Sequence, residues 1–138
     1  MPNQSGLRAV EHRPLRILAT EDNPSAREVL SRHLDHEGLD LTFAHDGAQA
    51  VEALALEAFD VVLMDLSMPV MDGLEAIRLI RASEAHEGRT ATPILAVSAR
   101  TSPEDVQACL AAGADDHLGK PVSRMDLLTR VLQLASRL

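Results

Sequence analysis

Aromatic residues and cysteine are scarce in this chain of 138 residues, which has two Phe, no Trp, no Tyr and one Cys. So few aromatic rings leave little to stack against unpaired bases, and a net charge of −8 opposes contact with a phosphate backbone. Cys109 has no second cysteine to pair with, which excludes an internal disulfide. We therefore expect neither direct nucleic-acid binding nor a disulfide-stabilised, secreted fold.

Long apolar segments are also missing. No run approaches the roughly 20 residues that a membrane-spanning helix needs, and the first 16 residues lack the apolar centre of a signal peptide. The stretch ATEDNP at 19–24 lacks the glycines of a nucleotide-phosphate loop. The sequence predicts a cytoplasmic protein without membrane insertion, with a polar, flexible arm at 1–14 before a single domain at 15–138.

Apolar residues nevertheless make up 46% of the chain, which is enough for one core. They form five short runs, each followed by a segment with helical spacing. The runs predict strands at 15–20, 39–44, 59–65, 93–98 and 116–120. Five strand–helix units predict an α/β fold with one parallel sheet, helices on both faces and right-handed crossovers.

Local signals predict where the helices begin and end. Capping side chains precede four helical segments, at Asn23, Asp72, Ser102 and Ser123. Asp46-Gly47 has the composition of a turn, and Gly38 is the predicted end of the first helix. The polar stretch 83–92 predicts a loop.

Polar residues close the apolar runs, at Glu21, Asp22, Asp65, Ser98, Lys120 and Pro121. The carboxyl ends of parallel strands share one edge of the sheet, where ligands bind in such folds. Neighbouring carboxylates repel one another, which raises their pKa values unless a cation lies among them. Mg²⁺ suits such a place because it takes few carboxylates together with water and phosphate oxygens. Each residue alone could be an ordinary cap or surface group, but their coincidence at four strand ends predicts a functional site.

This set of groups is suited to phosphoryl transfer. A metal ion and Lys120 would neutralise the equatorial oxygens while an in-line nucleophile attacks. Asp65 is the best candidate nucleophile, because a carboxylate can form an aspartyl phosphate and its strand is central.

The chain resembles the receiver domains of two-component response regulators. The resemblance lies in four stretches in the family's order and spacing, ILATEDNPSAREVL, VVLMDLSMPVMDGLEAIRLIR, TPILAVSAR and GADDHLGKP. It covers about residues 15–137, and the double-acid and MPVMDG stretches are most similar to receivers of hybrid kinases and phosphorelays. It implies a doubly wound, flavodoxin-like sheet of five parallel strands in the order 2-1-3-4-5 with five helices.

The resemblance also implies a metal site and a phosphoacceptor. Asp65 would accept the phosphoryl group. Mg²⁺ would bind Asp22, Asp65 and the backbone carbonyl of Ser67, with Glu21 contributing through a water. Glu21 stands where an aspartate is usual in the family.

Three further positions gain roles in the same way. Ser98 would bond the phosphoryl group, Lys120 would pair with it, and the peptide before Pro121 would be cis. Ser98 and His117 would form the switch, and His117 stands where Tyr or Phe is frequent.

The implied phosphoryl donor is a phosphohistidine on a histidine kinase or a histidine phosphotransfer protein. The domain would catalyse only its own phosphorylation and dephosphorylation, so we do not expect a turnover enzyme. The residues after Pro121 suffice for one helix, so output would be onward transfer or binding of a downstream protein. The implied binding face comprises residues 103–112, 116–119 and 124–137.

Two other functions remain open at this point. An aspartate-nucleophile phosphohydrolase usually carries a general acid two residues after the nucleophile, where this chain has Ser67. A receiver-like binding module that is never phosphorylated would not need Asp65, Ser98 and Lys120 together.

Overall fold

The computed structural model describes residues 13–35, 38–66 and 72–136, in which strands and helices alternate. The strands are β1 (Leu15–Thr20), β2 (Leu39–Ala44), β3 (Val61–Asp65), β4 (Ile94–Ser98) and β5 (Asp116–Gly119). The helices are α1 (Pro24–His33), α2 (Gly47–Leu56), α3 (Gly73–Glu87), α4 (Pro103–Ala112) and α5 (Arg124–Ala135). The predicted succession of strand–helix units is confirmed.

The strands form one parallel sheet in the order β2-β1-β3-β4-β5, which confirms the expected flavodoxin-like topology. β3 lies at the centre and is buried along its whole length. A strand covered on both faces needs apolar residues throughout, which explains the unbroken run before Asp65. The strand order reverses between β1 and β3, so their carboxyl ends flank the crevice where ligands bind in this fold.

Two apolar cores cover the two faces of the sheet. Helices α2, α3 and α4 pack on one face, where Met64, Ile77 and Cys109 are fully buried. Helices α1 and α5 pack on the other face, against Ile17 and Leu95. The place of Cys109 in the first core fits a small apolar residue.

The helix starts follow the capping signals. The Asn23 side chain accepts hydrogen bonds from the amides of Ser25 and Ala26. In the same way Asp72, Ser102 and Ser123 each accept from the amide three residues on. The four predicted N-caps are therefore confirmed.

Two predicted boundaries near β2 are wrong. Helix α1 ends at His33 and not at Gly38, because the backbone leaves the helical conformation at the C-cap residue Leu34, where φ is −106° and ψ is 14°. Gly38 belongs to the start of the sheet, where its carbonyl accepts a hydrogen bond from the Leu15 amide, 2.8 Å away. Asp46-Gly47 is not a separate turn. Asp46 caps α2 by accepting from the Gln49 amide at 2.8 Å, and Gly47 is the first helical residue.

The loop predicted at 83–92 is also wrong in its first half, since α3 continues to Glu87. Glu84 is buried, with 3% of its surface exposed, and its carboxylate pairs with Arg81 at 2.8 Å. The helix then stops at Gly88, whose φ of +68° favours glycine. Pairing of two charged side chains thus extends a helix whose composition is typical of a loop.

Candidate functional site

The polar residues predicted to gather at one edge of the sheet do so. Asp65 is the last residue of β3 and Ser98 the last of β4, and both are buried. Ser98 lies in register with Gly119, which places Lys120 next to it at the end of β5. Glu21 and Asp22 follow β1, the neighbour of β3 on the other side.

The Asp65 carboxylate is paired with Lys120. The lysine Nζ lies 3.2 Å from Asp65 Oδ2, and the carboxylate side chain is 7% exposed. The Lys120 amide donates to the Ser98 carbonyl at 2.9 Å, and the Lys120–Pro121 peptide is cis. A buried carboxylate is costly without a partner, so the pair accounts for an aspartate at the end of an apolar strand.

Glu21 is the second buried carboxyl group of the site, with 6% of its surface exposed. Burial raises the pKa of Glu21, and the negative charges of Asp65 and Asp22 raise it further. A hydrogen bond of 3.3 Å from the Asn23 amide and the charge of Lys120 oppose this rise. A bound cation would favour the ionised form, since it would offset both the burial and the repulsion.

The donor set fits Mg²⁺ in its water-rich mode of binding. Asp22 is exposed at the rim of the site, while Glu21 and Asp65 are buried within it. Across 13–35, 38–66 and 72–136, no three His, Cys, Asp or Glu side chains converge into a preformed metal cage. Mg²⁺ does not need one, because it keeps several waters and takes one or two carboxylates plus phosphate oxygens. Ser67 lies outside the described residues.

Two residues that support Asp65 were missed by the sequence reasoning. The Thr20 hydroxyl accepts a hydrogen bond from the Asp65 amide at 2.9 Å and donates to the Leu63 carbonyl at 3.2 Å. A Cβ atom at Gly73 would lie 2.5 Å from the Asp65 carbonyl oxygen, so only glycine lets α3 approach so closely. The polar end of β1 at Thr20 and a glycine at the first helical position were the available signals.

Ser98 and His117 lie on the side predicted to switch. The Ser98 hydroxyl oxygen accepts from the Arg100 amide at 2.9 Å, and a cavity of about 390 Å³ borders Ser98. His117 is in register with Ala96, which belongs to the core under α2–α4, so the two side chains share that face. Its Nε2 atom is buried and has no hydrogen-bond partner among the described residues.

A groove of about 590 Å³ opens beside the site, between α1 and the turn after β5. One end reaches Asp65 and Lys120. Its walls are mainly apolar, with Ala26, Val29, Leu30, Leu63, Val97, Pro121 and Val122 among the lining residues.

Comparison with known families identifies the domain. The model of the response regulator receiver domain matches residues 17–132. This chain belongs to the receiver-domain family. The resemblance seen in the four sequence stretches is thereby confirmed, and the receiver domain places the chain in two-component signalling.

Individual relatives agree with the assignment. The chain is 39% identical, over 89% of its length, to the response regulator MprA of Mycobacterium leprae. It is also similar to the receiver domain of sensor histidine kinase PA1611 from Pseudomonas aeruginosa PAO1, solved with a magnesium ion in the active site cleft. That match has a TM-score of 0.79 and 36% identity, and covers 89% of this chain and 98% of the other.

A third match is the receiver domain of Ssk1, co-crystallised with the histidine phosphotransfer signaling protein Ypd1 of Saccharomyces cerevisiae. It has a TM-score of 0.84 and 26% identity, with 91% of each chain covered.

The chain spans only part of its longer relatives. It covers 52% of that MprA protein and 13% of a sensor protein that it also matches. Among the residues described, no helix combines the length and apolar character needed to cross a membrane.

Proposed function

We propose that this receiver domain accepts a phosphoryl group on Asp65 in a Mg²⁺-dependent reaction. The observation that carries the proposal is the 3.2 Å pair between Lys120 Nζ and Asp65 Oδ2 at the end of the central strand. A buried carboxylate held beside a cation, with a hydroxyl and two more carboxyl groups nearby, is the chemical set of aspartyl phosphate formation.

The transfer needs one bond to break as another forms. An Asp65 oxygen attacks the phosphorus, the P–O bond forms, and the bond to the donor's histidine nitrogen breaks. Lys120 neutralises the oxygens of the phosphoryl group. The Ser98 oxygen already accepts from Arg100, so its own proton can be donated to a phosphoryl oxygen.

Mg²⁺ would supply further charge neutralisation at those oxygens when bound. Asp22, Asp65 and the Ser67 carbonyl would hold it, with Glu21 acting through a water. The buried Glu21, whose pKa is raised beside two other carboxyl groups, supports a cation at this position.

The proposed donor is a histidine kinase or a histidine phosphotransfer protein. The apolar groove along α1 reaches Asp65, so a partner packed on it could present its phosphohistidine to the acceptor. The matching Ssk1 receiver domain was crystallised with such a phosphotransfer protein. Catalysis would be confined to the domain's own phosphorylation and dephosphorylation, and the site would act in the cytoplasm.

We expect phosphorylation to depend on Asp22 more than on Glu21. With acetyl phosphate and Mg²⁺, intact-mass spectrometry should show one added phosphoryl group on the wild type. The Mg²⁺ concentration for half-maximal phosphorylation should rise about tenfold in Glu21→Ala, as is common for outer-shell ligands. It should rise further in Asp22→Ala, which removes a direct ligand.

Glu28→Ala is the control, because Glu28 is an exposed acid on α1 that pairs with Arg32. It should behave as the wild type. An Asp22→Ala protein with wild-type Mg²⁺ dependence would refute the ligand assignment, and a wild type that gains no mass at any Mg²⁺ concentration would refute the function.

The proposed output face comprises residues 103–112, 116–119 and 124–137, and we expect it to change on phosphorylation. A movement of Ser98 toward the phosphoryl group alters the space beside β4, and His117 is the polar residue of β5 on that side. A rearrangement that gives its buried Nε2 atom a hydrogen-bond partner would be favourable, because a buried polar atom without such a partner costs free energy. Beryllofluoride, a phosphoryl mimic, should therefore shift amide resonances of α4, β5 and α5 in NMR spectra.

The Ser98→Ala variant should reduce these shifts while leaving those near Asp65. Shifts confined to the neighbourhood of Asp65 in the wild type, with the proposed face silent, would show that His117 is not a switch. A downstream partner can read the change only if it binds the two states with different affinity.

A further inference from the structure

The turn that carries Glu21 and Asp22 is held by a residue outside the acidic pair. Arg27, in the first turns of α1, points one guanidinium nitrogen back at that turn. Its Nη1 donates to the Glu21 carbonyl at 3.1 Å and lies 3.4 Å from the Asp22 carbonyl. These bonds go to backbone oxygens, so the arginine fixes the turn without using the carboxylates.

The same nitrogen reaches a second loop. Arg27 Nη1 lies 2.6 Å from His45 Nδ1, in the connection between β2 and α2. Arginine can only donate, so Nδ1 must accept, which requires the imidazole that carries its proton on Nε2. One guanidinium nitrogen thus joins the loops that follow β1 and β2.

His45 is itself held in place. Its amide donates to Gln49 Oε1 at 2.8 Å, and the Gln49 amide donates to Asp46 Oδ1 at 2.8 Å, in the cap of α2. The Glu21 amide donates to the Ala44 carbonyl at 3.0 Å. Arg27 therefore ties the acidic turn to a loop that is anchored on a helix start.

We propose that Arg27 and His45 act as positioning residues for the divalent cation site at Glu21 and Asp22. The proposal rests on the proposed function, because it concerns the same metal. Asp22 lies beyond the end of β1 and outside the sheet register, so strand pairing does not fix its direction. The bonds from Arg27 supply that constraint, and His45 directs the guanidinium toward the turn.

The charge of Arg27 and its positioning role predict opposite changes in Mg²⁺ affinity when the side chain is replaced. Arg27 is a cation close to the site, so removing its charge should, by Coulomb's law alone, strengthen binding of Mg²⁺. A positioning role predicts the opposite. Partners that orient metal ligands typically contribute 10–100-fold to affinity.

The experiment is calorimetric titration of Mg²⁺ into the whole chain without a phosphoryl donor. We expect Arg27→Met to weaken binding about tenfold. Arg27→Lys and His45→Ala should each weaken it less, because each keeps part of the arrangement. His45→Asn should recover part of the loss in His45→Ala, since its side-chain oxygen can accept from Arg27. Arg32→Met, an exposed change on the same helix, should leave affinity unchanged.

Unchanged or tighter Mg²⁺ binding in a folded Arg27→Met protein would overturn the proposal. If Arg27→Met does not fold, as judged by urea unfolding, wild-type affinity in both Arg27→Lys and His45→Ala would overturn it. Failure of the wild type to bind Mg²⁺ would instead contradict the proposed function, so the two failures are distinguishable.

Discussion

The Asp65→Asn variant is expected to gain no phosphoryl group from acetyl phosphate and Mg²⁺, under conditions in which the wild type gains one. The amide is nearly isosteric with the carboxylate and still accepts a hydrogen bond from Lys120, but it is not a nucleophile. The loss should therefore be complete and should not reflect unfolding. Intact-mass spectrometry measures the added group, and circular dichroism checks that the variant is folded.

The matched control is Asp35→Asn, which removes an exposed carboxylate just after α1. It should be phosphorylated like the wild type. An undiminished mass gain in Asp65→Asn would show that another residue is the acceptor. A loss in both variants would point to an effect of overall charge.

The largest expected effect on stability lies away from the site, at Arg81. Its guanidinium pairs with Glu84 at 2.8 Å and with Asp115 at 2.9 Å, and donates to the Gly113 carbonyl at 2.9 Å. The Glu84 side chain is 4% exposed, so Arg81→Met leaves a buried carboxylate without its cation. Removing one partner of such a pair costs about 3–5 kcal/mol. Urea unfolding should show this as a lower midpoint.

Arg78→Met is the control, because Arg78 is exposed one turn earlier on the same helix. Its free energy of unfolding should change by less than about 0.5 kcal/mol. If Arg81→Met and Arg78→Met lower the midpoint equally, the contacts of Arg81 with Glu84, Gly113 and Asp115 do not stabilise the fold as expected.

Local signals were enough to predict most of the architecture. The apolar runs before Glu21, Asp65, Ser98 and Lys120 predicted the strands, and the strand–helix alternation predicted a parallel sheet. Capping side chains act within one turn of the chain, so the sequence around Asn23 or Asp72 contains the whole signal.

The boundaries that failed depend on distant partners. Gly38 is bound to Leu15 at the start of the sheet, and Arg81, which pairs with the buried Glu84, also contacts Gly113 and Asp115, 32 and 34 positions along the chain. Neither set of contacts can be predicted from the local amino-acid composition. Polar residues at 83–92 predict a loop until it is known that one of them, Glu84, is buried against Arg81 inside the fold.

The candidate site also has a part that local sequence predicts and a part that depends on distant contacts. Its carboxylates, hydroxyl and lysine were predictable because each ends an apolar run at a known edge of the sheet. The residues that support them were not predictable, because these contacts join residues far apart in the sequence. Thr20 and Asp65 are separated by 45 positions, and Arg27 and His45 by 18. These contacts exist only once β1 lies between β2 and β3.

Helix α3 packs so closely on the end of β3 that it restricts motion of the Asp65 backbone. The Asp65 backbone is fixed on its amide side by Thr20, and on its carbonyl side Gly73 leaves no room for even one carbon atom. The backbone of the proposed acceptor is therefore confined on both sides. If Asp65 is phosphorylated as proposed, we expect displacement in its less confined neighbours, which are the Lys120 side chain, 38% exposed, and the loop after Ser98. On the proposed mechanism, the modified residue would stay in place and the structural signal would arise in its neighbours.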